Sequence, residues 1–179
     1  MGHGADELKA LVRTIPDFPS PGIQFRDITT LLLDRDGLTR AVDFLCASVD
    51  DRVDLVAAIE ARGFAIGGMV AERLGAGLLL VRKDGKLPGA TIAEDYALEY
   101  GRDRLTMHVD AITPGARVLI LDDLVATGGT ALAAVRLVRR AGGEVVGARF
   151  LIDLPDAGGS ERLRAEGIEV RSLMEFDGD

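Results

Sequence analysis

Short apolar runs at 54–59, 77–82, 117–121 and 144–152 each read as a buried strand. Stretches with helical spacing at 64–74 and 129–141 separate the first pair and the last pair. Strands alternating with helices predict a mostly parallel sheet covered on both faces, an α/β fold. Such sheets bind ligands in the crevice beyond the carboxyl ends of their strands. Upstream, Leu38, Val42, Leu45 and Val49 form one stripe of a helix over 37–49, and residues 5–14 read as a short amphipathic helix. The proline-punctuated segment Ile15 to Gly22 cannot continue that helix. Residues 90–110 break the rhythm with a polar, mixed-charge stretch, expected as a long hairpin or mobile loop. Long loops inside compact domains are often lids. Residues 159–175 predict a short helix and a last strand.

Composition narrows the setting. No repeat, low-complexity tract or Pro/Gly-rich linker divides the 179 residues, which suit one domain over 1–179. The longest apolar runs fall far short of the ~20 residues a membrane helix needs. No secretory signal is visible, and the single Cys46 cannot form an internal disulfide, so a cytoplasmic protein is expected. The net charge of −8 argues against a nucleic-acid or membrane surface. One local exception stands out. Of only three lysines, Lys83 and Lys86 fall together in Arg82-Lys83-Asp84-Gly85-Lys86. On its own this cluster reads as a solvated turn.

The richest chemistry lies at 118–130. An apolar strand ends in Asp122 and Asp123, and the small-residue loop Ala126-Thr127-Gly128-Gly129-Thr130 then opens a helix. Glycines allow close backbone approach, and the first N–H groups of a helix form a ready anion site. Two carboxylates in the same spot would repel a phosphate, but they suit the hydroxyls of a sugar. Carboxylates, hydroxyls and anion site thus follow the order in which a ribose 5-phosphate presents its groups. Neither the Walker A nor the dinucleotide fingerprint occurs. A second loop, Glu60-Ala61-Arg62-Gly63, follows a predicted strand, where Arg62 can grip a phosphate bidentately.

The run of four apolar residues, two acids and Ala-Thr-Gly-Gly-Thr resembles the phosphoribosyl pyrophosphate signature of type I phosphoribosyltransferases. The resemblance extends in order from about Ile15 to Glu175 and is closest to the adenine phosphoribosyltransferases. It implies that Asp122 and Asp123 bind ribose hydroxyls and that Ala126, Thr127, Gly128, Gly129 and Thr130 cradle the 5-phosphate. It also implies a pyrophosphate loop at 60–63, commonly with a non-proline cis peptide, and donor contacts from Arg62, Arg82, Lys83 and Lys86. Tyr96 to Gly101 resembles the family's flexible catalytic loop, with Glu99 and Tyr100 in its closing segment. A lid has a purpose here, because an oxocarbenium-like transition state must be kept from water. Residues 15–30 resemble the family's base-binding hood. There Phe25 would stack on the purine and the backbone of Gln24 and Arg26 would read its edge. Leu154 would pack on the base from the far strand, and Asp153 stands where the family often has Glu. The side chains of Arg26 and Asp27 read as an internal ion pair that fixes the loop.

The implied activity is transfer of the phosphoribosyl group to adenine, giving AMP and pyrophosphate, in a homodimeric purine-salvage enzyme. Mg²⁺ is expected through the substrate phosphates with no dedicated protein cage, and His3 and His108 are not read as ligands. Two alternatives remain: the same chemistry on a 6-oxopurine such as xanthine or hypoxanthine, and a regulator that senses phosphoribosyl pyrophosphate without turnover.

Overall fold

The computed structural model describes residues 3–49, 52–98 and 101–178. The elements follow in the order α1 (His3–Ala10), β1 (Arg13–Pro16), β2 (Gln24–Asp27), α2 (Thr29–Leu33), α3 (Arg35–Ala47), β3 (Leu55–Ile59), α4 (Arg62–Leu74) and β4 (Gly77–Lys83). Then come β5 (Thr91–Leu98), β6 (Gly101–His108), β7 (Arg117–Val125), α5 (Gly129–Arg140), β8 (Glu144–Asp153), α6 (Gly159–Ala165) and β9 (Val170–Glu175). Seven strands form one sheet in the order β5-β6-β4-β3-β7-β8-β9. The run from β4 to β9 is parallel throughout, and β5 and β6 add an antiparallel hairpin at one edge. Two apolar layers cover the sheet. Ile59, Val81, Ile120 and Phe150 pack with α5 on one face, while Val56, Leu119, Leu121 and Leu151 pack with α3 and α4 on the other.

The α/β reading and the strand–helix alternation therefore hold, with local differences. Helix α1 stops at Ala10 instead of reaching 14, because Arg13–Pro16 pairs antiparallel with β2 as a separate two-stranded ribbon. The 90–110 stretch forms the β5–β6 hairpin across its described residues. Strand β7 does not end at residue 121. It runs through both aspartates to Val125, held by pairing with β8 as far as Asp153.

This topology makes the site. The chain leaves β3 through α4 to β4 on one side, and returns through the hairpin to β7 on β3's other side. Between β3 and β7 the order reverses, which opens a crevice at their carboxyl ends. Glu60 to Arg62 leaves one rim and Asp122 to Gly129 the other.

Candidate active site

The β7 rim carries the acids. Asp123 is 6 % exposed, and its carboxylate accepts from Arg62 Nε in an ion pair. Asp122 turns back on the chain, its Oδ1 accepting the Asp123 N–H at 2.8 Å. Burial, and then the charge of Asp123 beside it, push the Asp122 carboxyl well above the ordinary carboxylate range. Gly63, opening α4, is pressed against this pair: a Cβ there would lie 2.9 Å from Asp122 Oδ1. Such crowding of negative charge asks for hydroxyl donors or a cation as its complement.

Beyond the acids the chain turns at Gly128, whose φ of 78° is the left-handed conformation that glycine tolerates. Gly129 then begins α5, so the loop 126–130 delivers free helical N–H groups to the crevice.

The β3 rim carries the cations. The Glu60–Ala61 peptide is cis and is the only non-proline cis bond among the described residues. Glu60 accepts from Arg82 Nε at 2.8 Å and from the Lys83 backbone N–H at 3.2 Å, so the 60–63 turn and the basic cluster do converge. Arg82 also donates to the Lys86 carbonyl at 3.0 Å, closing the turn on which Lys86 stands exposed. Lys83 Nζ lies 3.0 Å from Asp103 of β6, and this contact raises its pKa. Asp103, despite the opposing effect of burial, is held below the usual carboxylate range by Lys83. The Tyr96 hydroxyl donates to the same carboxylate at 3.1 Å. Burial raises the Tyr96 pKa. Glu99 and Tyr100 lie outside the described residues.

The N-terminal ribbon reaches the same crevice. Phe25 lies 5.0 Å from the Arg62 guanidinium, measured to its ring centroid, and meets Phe18 edge to face at 5.1 Å. Gln24 precedes it on β2. The expected Arg26–Asp27 ion pair does not form. Neighbours on a strand point to opposite faces, so Asp27 pairs instead with Arg13, its register partner, at 2.5 Å. That hydrogen bond is the main cause that lowers the Asp27 pKa to about 2. Arg26 donates to Thr14 Oγ1 at 2.8 Å and to the Asp177 carbonyl at 2.9 Å, and it stacks on Phe176. Leu154 is buried beside the end of β7, its N–H donating to the Val125 carbonyl at 3.0 Å. Asp153 accepts from Ser160 at 2.5 Å.

The sequence reading gives Asp103 no role, and gives Glu60 and Tyr96 only their places in the pyrophosphate and catalytic loops. Glu60 had a signal, a charged residue directly after a buried strand at the sheet's carboxyl edge. The pairing of Tyr96 and Asp103 had a weaker one, the facing registers of a hairpin.

Comparison with known proteins identifies the family and supports the fold. A model of the phosphoribosyl transferase domain matches residues 30–172. The adenine phosphoribosyltransferase of Methylorubrum extorquens strain PA1 is 59% identical over 172 residues, covering 96% of this chain and 95% of that protein. The crystal structure of the Rhodothermus marinus adenine phosphoribosyltransferase superimposes with a TM-score of 0.93 at 50% identity, covering 98% of this chain and 100% of that one. The Saccharomyces cerevisiae enzyme, crystallised with adenine and an iminoaltritol bisphosphate, gives 0.89 at 33% identity, covering 97% and 100%. The sheet, the paired acids before a glycine turn and the aromatic ribbon therefore have one common explanation: the chain belongs to the adenine phosphoribosyltransferases.

Proposed function

We propose that the chain transfers the 5-phosphoribosyl group of phosphoribosyl pyrophosphate to adenine, releasing pyrophosphate and forming AMP for purine salvage. The contact path from Phe25 through Arg62 to Asp123 carries this reading. It sets an aromatic face, a phosphate-binding cation and a hydroxyl-binding carboxylate side by side at the β3–β7 crevice.

In this reading adenine stacks on Phe25 beneath Leu154, and the backbone of Gln24 and Arg26 reads its edge. A ring nitrogen attacks the anomeric carbon as the bond to pyrophosphate breaks. Positive charge develops on the ribose, close to Asp122 and Asp123, which accept hydrogen bonds from its hydroxyls. Fixed carboxylates placed where charge develops lower the barrier without reorganising. Ala126 through Thr130 hold the 5-phosphate still throughout. Arg62, Arg82, Lys83 and Lys86 receive the departing pyrophosphate, with Glu99 and Tyr100 in the segment that closes over it.

Mg²⁺ belongs to the same proposal. The adjacent carboxylates of Asp122 and Asp123 suit hydroxyl donors or a cation brought in on the substrate, and no group of three or more metal-binding side chains occurs among the described residues. When bound, Mg²⁺ supplies charge neutralisation to the leaving pyrophosphate.

We also place one domain over 1–179, with the hood at 15–30 and the catalytic loop within 90–110, in a cytoplasmic homodimer. Among the described residues no helix is long and apolar enough to cross a membrane. Leu78 and Leu80 of β4, 43 % and 38 % exposed beside α4, offer an apolar face for a second copy.

The test offers adenine, hypoxanthine, guanine and xanthine separately with phosphoribosyl pyrophosphate and Mg²⁺. AMP from adenine alone is expected. Turnover of an oxopurine alone would retain the donor site and discard the hood assignment.

A further inference from the structure

Helix α6 and the turn before it lie outside every role assigned so far, yet they touch the phosphate loop at consecutive peptides. The Gly159 N–H donates to the Ala126 carbonyl at 2.8 Å. One helical turn on, Arg162 Nη1 donates to the Thr127 carbonyl at 2.6 Å. The packing between them leaves no room for a side chain. A Cβ on Gly159 would lie 2.2 Å from the Ala126 oxygen and 2.6 Å from the Gly128 nitrogen. Both peptides are trans, so each N–H points opposite its carbonyl. Holding two successive carbonyls toward α6 turns the Thr127 and Gly128 N–H groups away from it. That is how a backbone anion nest is made.

Arg162 adds charge to this geometry. Its side chain is exposed, and no carboxylate pairs with it among the described residues. The partial negative charge of the Thr127 carbonyl would repel a phosphate in the loop, and the guanidinium offsets it.

We propose that Arg162 is a positioning residue for the 5-phosphate, acting through the Thr127–Gly128 peptide. The proposal rests on the assignment of 126–130 to that phosphate. Adenine is assigned to Phe25, the backbone of Gln24 and Arg26, and Leu154, none of which belongs to the 126–130 loop.

The test is steady-state kinetics of Arg162→Ala and Arg162→Lys, with dissociation constants for AMP and adenine and a melting temperature for each variant. A charge-assisted hydrogen bond of ordinary strength corresponds to about tenfold in binding. For Arg162→Ala the expected result is a KM for phosphoribosyl pyrophosphate and a Kd for AMP both raised about tenfold. The KM for adenine and kcat should stay near wild type, and Arg162→Lys should recover most of the loss. Unchanged affinities in Arg162→Ala would overturn the proposal, and so would equal losses for adenine and the donor. Thr127→Ala, which alters the loop itself, separates the two layers. If it weakens AMP while Arg162→Ala does not, the phosphate assignment stands and the role of Arg162 falls. If neither variant weakens AMP, the assignment beneath falls as well. Should Arg162→Ala fail to fold, Arg162→Gln keeps a donor without the charge, and wild-type donor affinity in that variant would equally overturn the electrostatic part.

Discussion

On the proposed assignment, the two rims of the crevice prepare for phosphate in opposite ways. On the β7 rim, residues 126–130 offer backbone N–H groups and the Thr127 and Thr130 hydroxyls, set by a left-handed glycine and braced from behind by α6. On the β3 rim the cations are side chains already engaged with the protein's own acids: Arg62 with Asp123, Arg82 with Glu60, and Lys83 with Asp103. The 5-phosphate is present in both substrate and product, so a rigid cradle suits it. Pyrophosphate must leave, and side chains that can return to an internal carboxylate release it more readily. Each exchange of partner also keeps a cation from standing unpaired when the site is empty.

The largest effect should come from the acids between the rims. Asp122→Asn combined with Asp123→Asn is expected to lower turnover at least about 10³-fold while leaving circular dichroism unchanged. Asp122→Asn alone should lose activity yet gain stability. Its ionised form is penalised at neutral pH, and Asn still accepts the Asp123 N–H. A higher Tm by calorimetry at pH 7 is the expected result. A lower Tm would mean that the crowding at Asp122 is already compensated.

Next in size is Gly159→Ala, which drives a Cβ into the loop's backbone. It should cost about 1–3 kcal/mol in chemical denaturation and raise the KM for the donor more than that for adenine. The β3 rim should respond more mildly. Asp103→Asn removes the acid that competes for Lys83, so pyrophosphate should inhibit about two- to threefold more strongly, in line with the modest worth of an exposed pair. Weaker inhibition would make Asp103 a support for Lys83 rather than a competitor.

The smallest effect concerns the hood. The folded pKa of Asp27, about 2, lies below the ordinary value of about 3.9. Its contribution is therefore fully present above the unfolded pKa and is lost as pH falls from about 4 to about 2. Arg13 is largely exposed, which limits the size of the contribution. Asp27→Asn should flatten stability against pH in that window, its loss of stability being largest at neutral pH and vanishing near pH 2.

What the sequence disclosed, and what it hid, follows the range of the interactions. Strands β3, β4 and β8 announce themselves as apolar runs, and residues 118–130 carry a local order of acids and glycines that a ribose phosphate explains. Strand β7 was read four residues short because Asp122 and Asp123 interrupt its apolar pattern, while its pairing with β8 holds it straight. Arg26 and Asp27 are adjacent in sequence, but strand alternation sends them to different partners. Arg149 looks like one more surface arginine. It is 1% exposed, bonded to Ser48 and Glu169 from distant elements. Arg162 gave no signal at all, since its partner lies 35 positions away across the sheet's edge.

The contrast between the rims is tested most directly by inhibition constants for ribose 5-phosphate and for pyrophosphate, measured separately on wild type, Thr127→Ala and Lys83→Ala. The expected result is a crossed pattern: Thr127→Ala weakens ribose 5-phosphate and spares pyrophosphate, while Lys83→Ala does the reverse. If each substitution weakened both inhibitors equally, the crevice would act as one undivided anion site, and the division between a fixed cradle and an exchangeable grip would be wrong.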